Sequence, residues 1–150
     1  MPPAARIVRW VRGALGDGAG AARAQITVRF VSRTEAAELN RRYRARDYAP
    51  NVLSFRYAER GAIVGDIVVC PAIVALEARA HDMSFESRLA HLVVHGILHL
   101  RGFDHASALD AQRMERLESR VVTALGHNDP WAGERAAHET MKTGNTSVPV

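Results

Sequence analysis

HLVVHGILHLRGFDH, residues 91–105, holds four of the seven histidines of this 150-residue chain, and its spacing decides how the rest is read. Leu89, Leu92, Val93 and Leu98 recur at helical intervals and Ser84 stands where a side-chain cap belongs, so a helix is predicted over 84–101. Histidines four residues apart on a helix lie one turn apart on one face, near enough to share a metal ion. His91, His95 and His99 all follow that interval. About 12 Å of helical rise separates the first from the last, whereas nitrogen ligands approach zinc to about 2.0–2.1 Å, so the three cannot converge on one ion. The third ligand has to come from beyond the helix. Gly102 can take the left-handed conformation that ends a helix and reverses the chain, which returns His105 to the site. His95, His99 and His105 are therefore the candidate ligands of one Zn2+ per chain. His91, like His81, His127 and His138, reads as a packed histidine and not as a ligand. Asp104 is a candidate acceptor that would orient a ligating imidazole, with a solvated turn residue as the plain alternative.

Working outward, residues 6–15 put Ile7, Trp10, Val11 and Leu15 on one stripe with Arg6, Arg9 and Arg12 off it, an amphipathic helix. Residues 16–24, GDGAGAARA, lack large side chains and read as a loop. Residues 25–31 alternate Ile26, Val28 and Phe30 against Thr27, Arg29 and Val31, the period of a strand. Ser32 or Thr34 caps a helix at 34–44 whose apolar side is Ala37, Leu39 and Tyr43. A turn at 47–50 leads into a short strand at 51–55, and after a turn near Gly61 the β-branched run at 63–70 reads as a well-buried strand stopped by Pro71. A helix follows at 71–80, and beyond the histidine block another at 106–125, with Leu109, Met114, Leu117, Val121 and Leu125 inward and Gly126 at its end. The pattern predicts a single small α+β domain over 1–130, a mixed sheet of about three to four strands packed with about five helices. Residues 131–150 have few apolar anchors and read as a flexible tail.

Composition narrows the function. With 47% hydrophobic and 24% charged residues the chain has the balance of one globular domain that needs no metal merely to fold, so a bound metal is expected to be functional. Cys70 is the one cysteine, which excludes an intrachain disulfide and a thiolate-rich zinc site and fits a reducing cytoplasm. The longest apolar run, 67–76, is interrupted by Pro71 and falls short of the roughly 20 residues of a membrane span, and arginines punctuate the N-terminal apolar stretch, so neither membrane insertion nor export is expected. Residues 1–60 carry 12 Arg against five acids, a net of +7, while 61–150 carry a net of −3. Arginine grips phosphate with paired donors, so Arg41, Arg42, Arg44 and Arg46 are candidate phosphate contacts.

Residues 95–105 also match the ligand spacing of the metzincin zinc peptidases, except that Gly96 stands where those enzymes carry the glutamate base. Glycine cannot take a proton, which argues against peptide hydrolysis. Taken with LNRRYRARD at 39–47, NVLSF at 51–55, GDIVVC at 65–70 and LGHNDPW at 125–131, the histidine block resembles the YbeY family of bacterial endoribonucleases, the rRNA maturation factors, over about residues 10–131. The resemblance implies a zinc-dependent, single-strand-specific endoribonuclease of the cytoplasm, active in ribosome maturation including 16S rRNA 3′ end processing. It carries the zinc ligands onto His95, His99 and His105 and a functionally important arginine onto Arg44. Four departures stand out: Pro50 replaces the usual threonine, Arg56 the usual proline, Phe103 the usual tyrosine, and the residues before the first helix are too few for the strand that commonly opens the family's sheet.

The expected reaction is metal-assisted hydrolysis of an RNA phosphodiester, with Arg44 stabilising transition-state charge and no residue assigned as base. The expected partners are single-stranded RNA, rRNA, ribosomal subunits and ribosome-associated proteins, with no DNA. Two rivals stand beside this reading. One is a non-catalytic ribosome-assembly factor with a structural zinc. The other is an atypical zinc hydrolase that would draw an acidic base from Asp66 or Asp104.

Overall fold

The computed structural model of the protein describes residues 1–57 and 61–132. Its elements run α1 (Ala4–Leu15), α2 (Ala19–Ala22), β1 (Gln25–Phe30), α3 (Arg33–Arg44), β2 (Val52–Tyr57), β3 (Val64–Val69), α4 (Pro71–Ala80), α5 (Phe85–Leu100) and α6 (Ala108–Ala124). The fold is α+β. The sheet has three strands in the order β1-β3-β2, with β1 parallel and β2 antiparallel to β3. No strand precedes α1 among the described residues.

β3 sits at the centre because its residues are apolar on both faces. Ile67 and Val69 turn toward α1 and α5 in the main core, while Val68 joins Leu53, Val31 and Ala36 of α3 in a second cluster on the other face. α5 is covered nearly all round: Leu89, Ala90, Leu92, Val93, Val94, Ile97, Leu98 and Leu100 are buried. A helix this apolar must lie inside the molecule. Two glycines let it approach the sheet. A Cβ on Gly65 would stand 2.5 Å from the Phe55 carbonyl oxygen and 2.8 Å from a Leu100 methyl, and one on Gly96 would stand 2.9 Å from a methyl of Ile67. The absence of glutamate at position 96 thus has a packing reason, since that side of α5 rests on the sheet.

Several local expectations change. The expected loop at 16–24 contains a single helical turn, α2, which brings the helices among the described residues to six; its alanines allow the turn that closes as Ala22 N donates to Gly18 O at 3.2 Å. Ser32, not Thr34, caps α3, accepting from the Glu35 amide at 3.2 Å. The inward face of α3 is Ala36 and Asn40, and Tyr43 is 58% exposed with its ring edge-on to Phe55. On α6 Met114, Leu117, Val121 and Leu125 pack on the core as expected and the buried Glu118 and Val122 join them, while Leu109 in the first turn is 55% exposed. Of the expected tail at 131–150, residues 133–150 lie outside the described residues. Trp131 is half-buried and held, its amide donating to Asp129 Oδ1 at 2.9 Å.

Candidate metal centre and its arginine side

The C-terminal half of α5 and the turn after it bring the three predicted histidines together. His95 and His99 lie one turn apart with their Nε2 atoms 3.0 Å from each other. Gly102 takes φ +101, the Gly102 amide donates to His99 O at 3.0 Å and the Phe103 amide to Leu98 O at 3.1 Å, so the chain reverses at once. That reversal sets the His105 ring 5.2 Å from the rings of both His95 and His99. One nitrogen from each of the three lies within 4.8 Å of the others, and the group could hold a metal ion. Metal–nitrogen bonds of about 2.0–2.1 Å put tetrahedral ligands about 3.4 Å apart, so the donor set fits zinc with small side-chain adjustments. His95 and His99 are half-buried and His105 is exposed, which opens one side of the cluster to solvent.

His91 stands apart from the cluster, as its distance along the helix predicts. It is buried, with Nε2 2.9 Å from Glu118 Oε2 and Nδ1 3.3 Å from an Arg88 guanidinium nitrogen. Glu118 is the residue that sequence reasoning missed. Its fully buried carboxylate also lies 2.5 Å from His95 Nδ1 and accepts from the Trp131 indole at 3.0 Å. A signal for it exists: Glu118 falls four residues after Met114 and four before Val122, a lone acid inside an apolar stripe. Burial alone would raise its pKa; the hydrogen bonds from His91 and His95 outweigh this and hold it at about 2. His99 is shifted down, first by burial and then by the neighbouring His95 and His105, against a hydrogen bond to the Phe103 backbone. Asp104 bonds within the return turn instead, accepting from the Ala106 amide at 3.0 Å, so the acceptor facing a candidate ligand is Glu118.

The arginine run divides. Arg44, at the end of α3, donates to the Ser54 carbonyl at 2.9 Å and lines a cleft with Ser54, Arg56, His99 and Leu100. Arg46 and Arg44 line a neighbouring depression with Asn40, Tyr48 and Asn51. Arg42 pairs with Glu38 on the exposed side of α3, and Arg41 is exposed on the same helix. The structure therefore brings Arg44 beside a candidate ligand and leaves Arg41 and Arg42 outside that cleft. Arg56 enters it through strand alternation: it stands two residues beyond Ser54 on β2, on the side that meets α5. Asp66 occupies the opposite face of β3 from Ile67, where it accepts from the Tyr57 hydroxyl at 2.7 Å. That placement removes Asp66 as a base for chemistry at the histidines.

The family model described as Endoribonuclease YbeY matches residues 4–126. An Endoribonuclease YbeY of Aromatoleum aromaticum is 47% identical over 132 residues, covering 87% of this chain and 82% of the relative. One of Bordetella pertussis is 46% identical over 136 residues, with 86% and 87% covered, and one of Cupriavidus necator is 44% identical over 137 residues, with 90% and 67% covered. The solution structure of TM1509 from Thermotoga maritima superimposes with a TM-score of 0.56 at 29% identity, covering 97% of this chain and 88% of that one. With a reversal that gathers three imidazoles at the end of a buried helix and a match along most of its length, the chain belongs to the endoribonuclease YbeY family.

Proposed function

We propose that this protein is a zinc-dependent endoribonuclease that cuts single-stranded RNA during rRNA maturation, including the 16S 3′ end, in the cytoplasm and in contact with ribosomal subunits and their associated proteins. The observation that carries the reading is the juxtaposition of the three-histidine cluster with a cleft lined by Arg44 and Arg56, in a member of this family. His95, His99 and His105 would hold the ion, and a zinc site with three protein ligands keeps a position for water or substrate, as catalytic sites do and structural sites do not. When bound, zinc supplies Lewis-acid polarisation of a phosphoryl oxygen and acidification of a water molecule.

The protein's own residues supply the rest. The Ser54 carbonyl holds the Arg44 guanidinium at the cleft, from which its remaining donors reach the non-bridging phosphate oxygens and stabilise the charge that grows in the transition state. Arg56 adds a second cation on the same wall. Glu118 is sealed from the cleft and occupied by three donors, so it takes no proton from substrate. Peptidase chemistry is disfavoured because Gly96 has no side chain to act as a base, and a Cβ there would crowd the Ile67 and Ser54 side chains.

Metal-loaded protein incubated with single-stranded RNA, duplex RNA and unfolded casein tests the reading. Cleavage of the single strand, slower cleavage of duplex and intact casein are expected. Casein proteolysis lost on replacing the three histidines, with RNA untouched, would overturn it. The new RNA ends identify the nucleophile: a 2′,3′-cyclic phosphate with a 5′-hydroxyl marks attack by the ribose hydroxyl, and a 5′-phosphate with a 3′-hydroxyl marks attack by water. Cells lacking the protein should accumulate 16S precursors with unprocessed ends.

A further inference from the structure

We infer that Glu118 is a positioning residue that sets the tautomer of His95, and that Arg88 and His91 fix which of its oxygens is free to do so, with Trp131 a second donor to the other oxygen. The inference rests on the reading that His95 is a metal ligand. It follows from the direction of each hydrogen bond. A guanidinium only donates. Arg88 is pinned by Glu77, with Nε at 3.1 Å and Nη2 at 2.9 Å from one carboxylate oxygen, and its Nη1 lies 3.3 Å from His91 Nδ1. His91 Nδ1 must therefore be the acceptor, which places the His91 proton on Nε2, 2.9 Å from Glu118 Oε2. The Trp131 indole, which only donates, reaches the same oxygen at 3.0 Å. Oε2 is thus filled by two N–H groups, and Oε1 faces His95 Nδ1.

An ionised carboxylate only accepts, so His95 carries its proton on Nδ1 and its lone pair on Nε2. Nε2 is the atom that faces the cluster, 3.0 Å from His99 Nε2. A histidine without this partner populates both tautomers, one of which offers the cluster a hydrogen in place of a lone pair. Glu118 removes that form before any metal arrives. Trp131 lies just past residues 4–126, the segment that the family model matches, and ends the LGHNDPW stretch at 125–131.

The sharpest test is Glu118→Gln, which keeps shape but replaces one acceptor oxygen with an NH2 donor. Its remaining oxygen has to serve either two donors, His91 and Trp131, or His95 alone. The two-donor arrangement turns the NH2 toward His95 Nδ1, which must then accept, and the His95 proton moves to Nε2. Imidazole 15N shifts of the metal-free full-length protein at pH 8 read this directly: His95 as Nδ1–H in the wild type and Nε2–H in the variant. Zn2+ affinity measured against a chromophoric chelator should fall at least about tenfold in Glu118→Gln. Trp131→Phe, which leaves the carboxylate and one donor in place, should keep the wild-type tautomer and bind Zn2+ within about threefold of wild type. A role confined to packing would lower the unfolding midpoint and move neither readout. Unchanged Zn2+ affinity with His95 still Nδ1–H in Glu118→Gln overturns the inference. So does a dominant Nε2–H form of His95 in the wild type, a result that needs no folded variant. The tautomer measurement uses neither metal nor RNA, so an inactive wild-type protein with His95 as Nδ1–H would count against the functional proposal alone.

Discussion

The histidine cluster has two sides built on opposite principles. Toward α6 it meets Glu118, fully buried and bonded to His91, His95 and Trp131. Toward β2 it meets Arg44 and Arg56, exposed cations around an open cleft. In the dry side every polar group must have a fixed partner, since a buried unsatisfied donor or acceptor costs about 1–3 kcal/mol, and that requirement makes the geometry rigid. In the wet side water shares each contact, so a guanidinium can leave one partner for another at small cost. The difference separates holding an ion from gripping a flexible polymer.

The largest expected effect breaks the contrast at the cluster both sides share. Replacing His95, His99 and His105 together with alanine should remove about one zinc per chain and abolish RNA cleavage, while His91→Ala keeps the zinc stoichiometry. Elemental analysis decides it, and normal zinc in the triple variant would end the assignment.

The floor beneath both sides comes next. Gly65→Ala should destabilise by about 2–3 kcal/mol in urea unfolding, because the added methyl meets a backbone carbonyl that has nowhere to move. Gly96→Ala should cost less, about 1–2 kcal/mol, since the atoms it meets belong to the Ile67 and Ser54 side chains. Equal costs would show that the helix and sheet separate as a unit.

On the wet side, Arg44→Ala should leave zinc content and thermal unfolding nearly unchanged while single-turnover cleavage falls at least about tenfold, roughly 1.4 kcal/mol of transition-state stabilisation. Arg56→Ala should lose less turnover and flatten the salt dependence of RNA binding. Wild-type cleavage by Arg44→Ala would remove that residue from the mechanism.

The smallest effect concerns acid. The folded state holds His99 below its ordinary pKa, so under pH 6.5 the unfolded chain binds more protons at this position than the folded one. Stability of the metal-free protein should therefore fall as pH drops below about 6.5, by no more than about 1.4 kcal/mol per pH unit from this group. Glu118 is shifted down as a carboxylate, so its contribution is present above about pH 4.5 and is lost as pH falls through about 2. The His99 loss comes first on acidification. Unfolding midpoints of wild type and His99→Gln between pH 7 and 5 measure it; parallel slopes would assign the acid sensitivity to other groups.

Much of the cluster was legible because its information is local. Four-residue spacing on one helix, a glycine able to reverse the chain and a third histidine just beyond lie between residues 95 and 105. The alternation of β1, the doubly apolar β3 and the stop at Pro71 were legible for the same reason. α3 and α6 were read less well. Leu39 on α3 and Met114, Leu117, Val121 and Leu125 on α6 pack inward as predicted, but Asn40 and Glu118 are buried beside them while Tyr43 and Leu109 face out. Periodicity marks an apolar side without fixing which member of it sits deepest.

By itself, the sequence determined a three-histidine group at the end of an apolar helix, a small α+β fold with a well-buried β-branched strand, and an arginine-rich segment at 41–46. Only the tertiary structure decided that Arg44 and Arg56, and not Arg41 or Arg42, border the cluster, that Gly96 touches the sheet, and that Glu118 and Trp131 close the dry side. The physical reason is separation along the chain. Contacts within one helix and its turn follow from a fixed rise and rotation per residue. Contacts between α5, α6 and β2 depend on how whole elements pack, which no local period encodes.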